Sequence, residues 1–149
     1  HMFDHICLAL IGTNVIFSGD HVMGWSSTMI MPPMGNMSQF IKSLKKLLNR
    51  KENIYLSGHG SLINDAKEYV RSQLTHRQHR EKQILQFIQI KPLAPEELVP
   101  LIYPNLDLKL AKAAKYNVFA HLISLTERDV VVCNSNVCIE TKFVCKSNT

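Results

Sequence analysis

The chain has 149 residues, a formal net charge of +5 with its histidines neutral, and a sequence pI near 9.1. Its hydrophobic fraction of 46% suffices for one compact domain, or two small ones sharing a core. No apolar run approaches the ~20 residues of a membrane helix, and no basic n-region precedes the first apolar stretch, so neither a membrane span nor a signal peptide is expected. The cytoplasm is the expected compartment. The basic balance permits a nucleic-acid partner without establishing one.

In chain order, Ile6–Ile11 and Asn14–Ser18 are short β-type runs around Gly12-Thr13, a hairpin signal. The second run ends in Ser18-Gly19-Asp20, which puts Asp20 just past a buried strand. Pro32-Pro33-Met34-Gly35-Asn36 is a loop. Ser38 is read as the N-cap of a helix reaching about Leu48, with Phe40, Ile41, Leu44, Leu47 and Leu48 on its apolar side. Lys42, Lys45 and Lys46 form its solvated face. A strand, Asn53–Leu56, runs into Ser57-Gly58-His59-Gly60. A helix is predicted to begin near Asn64 and a second one to span about His76–Gln89. Strand and helix alternate, which argues an α/β first half.

Pro92 and Pro95 mark a boundary, and Pro95 with Glu96 and Glu97 suits a first helical turn. A helix is predicted over about Asp107–Thr126. Asp129–Cys133 and Val137–Val144 then form a β-hairpin with Asn134-Ser135-Asn136 at the tip. The division is residues 1–90 and 91–149, the second unit being winged-helix-like.

Cys7 fits a buried core thiol. Cys133, Cys138 and Cys145 lack CxxC spacing, so a zinc ribbon is disfavoured, and a Cys133–Cys138 disulfide stands against free thiols. His1-Met2 reads as a tag remnant before a start methionine.

Asp20 and His59 form the sharpest pair. Each follows a strand, and a carboxylate and an imidazole brought together at neighbouring strand ends can ligate a metal ion. A strand-end Asp is also commonly a cap, and a lone His is commonly structural.

The segments FSGDHVMGWSSTMIMPPMGNMSQFIKSLKKLL and IYLSGHGSLINDA resemble the second half of a metallo-β-lactamase superfamily enzyme. HRQHREKQIL and LVPLIYPNLD…NVFAHLISL narrow the resemblance to the endoribonuclease-like hydrolase branch, whose members end in a winged-helix-like domain. It runs from Asp4 to about Val132. It implies the second half of an αββα sandwich and a two-ion, usually zinc, site. Asp20 matches the bridging carboxylate and His59 the last histidine ligand. In that family a metal-bound hydroxide hydrolyses an ester, thioester, amide or phosphodiester. The family's HxHxDH cluster is absent from this sequence, and the third-motif histidine falls where His1 stands.

The resemblance therefore implies a truncated metallohydrolase that binds zinc weakly and is inactive or impaired by itself. His5 and His21 are candidates for supporting the ligands. His76, Arg77 and Arg80, with His79, are candidates for phosphate contact, against a salt-bridged helix surface involving Glu81. His121 is read as a satisfied core histidine. An uncovered sheet face predicts a homodimer or a separately encoded N-terminal half. The alternative is a non-catalytic module that binds RNA, DNA or protein through the basic helix and the winged-helix-like end, where Lys109, Lys112 and Lys115 could meet phosphates.

Overall fold

The structure is a computed structural model and describes residues 2–146. Its sheet has the order β1 (Leu8–Ala9), β2 (Val15–Gly19), β3 (Ile54–Ser57). β1 and β2 are antiparallel, with Leu8 opposite Phe17 and Ala9 opposite Ile16. β2 and β3 are parallel, with Ile16 beside Tyr55 and Phe17 beside Leu56, and the register shifts between Phe17 and Gly19. Parallel neighbours need a crossover, and α1 (Met37–Leu48) supplies it.

Period-2 alternation sends Ile16, Ser18 and Tyr55 to one face, where they are buried under α1 and α2 (Ala66–Ile88). The other face carries the row Leu8, Phe17 and Leu56, which are 59%, 46% and 37% exposed.

α1 begins earlier than predicted. Asn36 is its N-cap, its side chain accepting from the Gln39 N–H at 2.9 Å. Ser38 lies inside the helix, and its hydroxyl meets Ser124 Oγ at 2.9 Å and donates to Glu127 at 2.8 Å. It ties α1 to the chain's last long helix. The stripe Met37, Phe40, Leu44 and Leu47 is buried as its spacing predicts.

The two helices expected over 64–89 are one. α2 runs unbroken for 23 residues, capped by Asp65, and serves two cores. Its Val70 joins the core under the sheet, whereas Ile84 and Ile88 join a second core.

That second core is the helical and hairpin unit. α3 (Pro95–Ile102) starts at Pro95, and Glu97 reaches back to accept the Ala94 N–H at 2.8 Å. A 3₁₀ turn, Leu108–Leu110, leads into α4 (Ala111–Glu127). β4 (Val131–Cys133) and β5 (Phe143–Cys145) pair antiparallel. The predicted strand over 137–144 is replaced by a longer connection, in which Thr141 donates to the Asn136 carbonyl at 2.7 Å. The connection is longer because Thr141 draws these residues into local turns, and pairing begins only at Phe143. The four cysteines are free thiols, so no Cys133–Cys138 disulfide forms. No helix among the described residues is long and apolar enough to cross a membrane.

Candidate metal-site edge

Asp20 follows β2 and His59 follows β3, and the parallel pairing of those strands brings the two loops together. Asp20 Oδ1 lies 3.6 Å from His59 Nε2, and both side chains keep access to solvent. The backbone beneath them is held from several sides. The Asp20 N–H donates to His5 Nε2 at 3.1 Å, and the Asp20 carbonyl accepts from Thr28 Oγ1 at 2.7 Å. The His59 carbonyl accepts from Ser57 Oγ at 2.8 Å and from the Gly24 N–H at 2.9 Å. A Cβ at Gly58 would stand 2.5 Å from Asp20 Oδ1, so a larger residue there would push the carboxylate aside.

His5 thus holds the Asp20 backbone. His21 turns inward. It is buried, and its ring meets Phe40 edge-on with centroids 5.1 Å apart. The turn after β2, closed by the His21 N–H donating to the Ser18 carbonyl at 3.1 Å, carries it there. His1 lies outside the described residues.

Arg77 and Arg80 are not phosphate-facing groups. Arg77 is 1% exposed; its guanidinium donates to Asn117 Oδ1 at 3.1 Å and to the Thr28 carbonyl, and it sits 5.3 Å from the Phe40 ring centroid. Arg80 is buried over the Tyr103 ring at 4.0 Å and donates to Gln83 at 2.8 Å. Their positions on α2 point between the two cores, where an apolar stripe would otherwise lie. His76 and His79 remain at the surface. Partial burial, then the charges of Arg77 and Arg80, hold His76 below the usual imidazole range. Glu81 pairs across elements with Arg128 at 2.5 Å, not with these arginines.

His121 is fully buried in α4, but it is not satisfied: neither ring nitrogen has a hydrogen-bond partner among the described residues. Burial, reinforced by Arg77, Arg80, His76 and Arg128, pushes its pKa down to about 3.

Sequence reasoning missed Trp25. It is 71% exposed, and its ring centroid lies 6.5 Å from that of His59. The available signal was a large aromatic inside the loop that follows Asp20.

Metal fit can be judged from the donors. Asp20 and His59 are of the right kind and converge, but among the described residues no group of three or more His, Cys, Asp or Glu side chains could hold an ion. A catalytic zinc takes about three protein donors. The described donors fall short of that set, so they supply an edge of a site.

Residues 94–136 match the family model described as the β-lactamase-associated winged helix domain. The chain is similar to a β-lactamase-like protein 2 homolog of Drosophila melanogaster, 33% identical over 128 residues, covering 84% of this chain and 42% of that protein. An atrochrysone carboxyl ACP thioesterase of Aspergillus fumigatus is 30% identical over 89 residues, covering 60% of this chain and 27% of that protein. The chain thus spans less than half the length of these relatives. Among solved structures, a β-lactamase domain protein from Burkholderia ambifaria superposes with a TM-score of 0.78 at 20% identity, covering 89% of this chain and 41% of that one. A metallo-β-lactamase family protein from Thermus thermophilus gives 0.75 at 20% identity, covering 89% and 42%.

Proposed function

We propose that this chain belongs to a metallo-β-lactamase superfamily protein, winged-helix domain included, and that Asp20 and His59 are two donors of a hydrolytic zinc site whose other donors lie outside the described residues. The observation that carries this is their convergence at 3.6 Å on adjoining strand-end loops. Ions held there would lower the pKa of bound water and stabilise negative charge developing on the substrate. The chain's own residues hold the geometry: His5 and Thr28 fix the Asp20 backbone, and Gly24 and Ser57 fix that of His59.

The substrates of this reading are esters, thioesters or phosphodiesters. The thioesterase among the relatives supports an acyl substrate, and burial of Arg77 and Arg80 takes those two cations out of reach of a phosphate at the helix surface. By itself the chain holds zinc weakly and hydrolyses little, because two donors are too few.

The apolar row Leu8, Phe17 and Leu56 supports a covering layer, either a second copy or a polypeptide carrying the HxHxDH cluster. Zinc content measured with and without a co-expressed HxHxDH-bearing polypeptide tests both points. A complex holding at least about one zinc per chain, lost on Asp20→Ala and on His59→Ala, is expected. A complex with no zinc, or zinc that persists in both variants, would overturn the reading.

A further inference from the structure

The loop after Asp20 places a large aromatic where a hydrolase would meet its substrate. Trp25 stands in solvent beside His59, although a tryptophan so exposed leaves most of its apolar area wet. Its position is not loose. Gly24 and Gly60 pair as a parallel bridge, and the Gly24 N–H donates to the His59 carbonyl at 2.9 Å. A Cβ on Gly60 would lie 2.6 Å from Gly24 C and 2.9 Å from Trp25 Cβ, and Gly60 has φ +87°. A Cβ on Gly24 would overlap the Ser61 carbonyl oxygen. The two loops therefore touch backbone to backbone, and that contact fixes where the indole begins.

From Gly24 a groove of about 380 Å³ runs between the His59 loop and the first turns of α2. Leu62, Ile63 and Tyr69 give it apolar walls, and Leu62 is half exposed. Tyr69 is held by donating its hydroxyl to the Met23 carbonyl at 2.7 Å, so this wall is braced against the Asp20 loop. The charged side chains lining the groove are Asp65 and Glu68, with no lysine or arginine among the lining residues. The ion pair of Glu68 with Arg71, at 3.3 Å, is solvent-exposed.

We propose that Trp25 and the adjoining groove receive the uncharged, apolar acyl portion of the substrate, with Trp25 as the specificity residue next to His59. The walls match a hydrocarbon chain. The carboxylates disfavour a polyanion, because like charges repel at short range. Gly24 lines the groove and its N–H is bonded to the His59 carbonyl, so an acyl chain lying in the groove would reach the residue next to Trp25 and the backbone of the His59 loop. This rests on the reading of that pair as the reactive edge, but the binding itself needs no metal.

Trp25 is the chain's one tryptophan, which makes its emission a direct reporter of this site. The test titrates EDTA-treated protein with the N-acetylcysteamine thioester of octanoic acid, and separately with AMP. The thioester should give a saturable blue shift in the wild type and equally in Asp20→Ala; AMP should give none. Leu62→Asp, on a half-exposed side chain, should weaken the binding by about tenfold. Saturation-transfer NMR should show binding kept in Trp25→Phe and lost in Trp25→Ala. No saturable shift, or unchanged affinity in both Leu62→Asp and Trp25→Ala, would overturn the proposal. A stronger response to AMP than to the thioester would also overturn it, in favour of a stacked base. Failure of zinc binding would leave this metal-free titration untouched, so the two readings fail separately.

Discussion

The two cores of the molecule close to different degrees. Around Val118, Leu122, Leu125 and Phe143, three helices and a hairpin bury every one of these side chains to the same 0% exposure. The sheet core buries Ile16 and Tyr55 as well, yet the next residues in each strand, Phe17 and Leu56, face outward and are apolar too. A helix needs one apolar stripe, and in the second unit most of those stripes meet in one core. A strand with apolar residues on both faces is the pattern of a sheet covered twice. The difference is that these side chains of the second core are enclosed from every side, whereas the sheet buries one face and leaves an apolar row on the other exposed.

Leu122→Ala is expected to give the largest effect, because it opens a cavity in the closed core. The loss should be about 3 kcal/mol. For a chain of this size that is roughly 10 °C in the melting midpoint, readable by circular dichroism. A loss below about 1 kcal/mol would mean the second core is loosely packed and would break the contrast.

Gly60→Ala comes next, at about 2 kcal/mol, from a Cβ pressed on Gly24 and Trp25 and from positive φ. It should also shift Trp25 emission, because the backbone contact that seats the indole must open. An unaltered spectrum with full stability would show that the two loops are free to part.

The fold was legible where periodicity was clean. The α1 stripe, the β2 and β3 runs, Pro95 at a helix start and the strand-end positions of Asp20 and His59 all follow from spacing and caps. α2 was read as two helices, near Asn64 and over about His76–Gln89, whereas it is continuous, and Arg77 and Arg80 within it were read as surface groups. Those arginines are buried against Phe40 and Tyr103, and sequence gives no sign of the rings that receive them. Ser38 looked like a cap because its role, bonding to Ser124 and Glu127, depends on a helix far along the chain. Trp25 carries no periodic signal, and its meaning comes wholly from the approach of Gly24 to Gly60.

The junction between the cores supplies the third prediction. His121 is neutral in the fold because its pKa lies near 3, below the unfolded value of about 6.5. The unfolded chain therefore binds the extra proton first as pH falls. Stability from this group is complete above about pH 6.5 and declines below it, by up to about 1.4 kcal/mol per pH unit, until pH nears 3. Between about pH 6.5 and pH 5 the loss is roughly 2 kcal/mol. Arg77, Arg80, His76 and Arg128 all oppose protonation. Urea midpoints at about pH 7 and pH 5 should fall much less in His121→Leu than in the wild type. Equal falls would show that the acid sensitivity lies elsewhere.

The smallest expected effect discriminates most. Leu8→Glu and Phe17→Glu replace side chains that already face solvent, so each should change the stability of this chain by no more than about 0.5 kcal/mol. Each should also reduce self-association, because the apolar row is broken by charge. In a complex with a polypeptide that covers the sheet, the same glutamates would be buried without partners. The cost there should rise to several kcal/mol, seen as loss of the complex in size-exclusion chromatography. A side chain that is silent in one setting and disruptive in the other marks the second layer's contact face. If the glutamates destabilise the isolated chain as strongly as Leu122→Ala, the face is already covered, and the contrast between the two cores disappears.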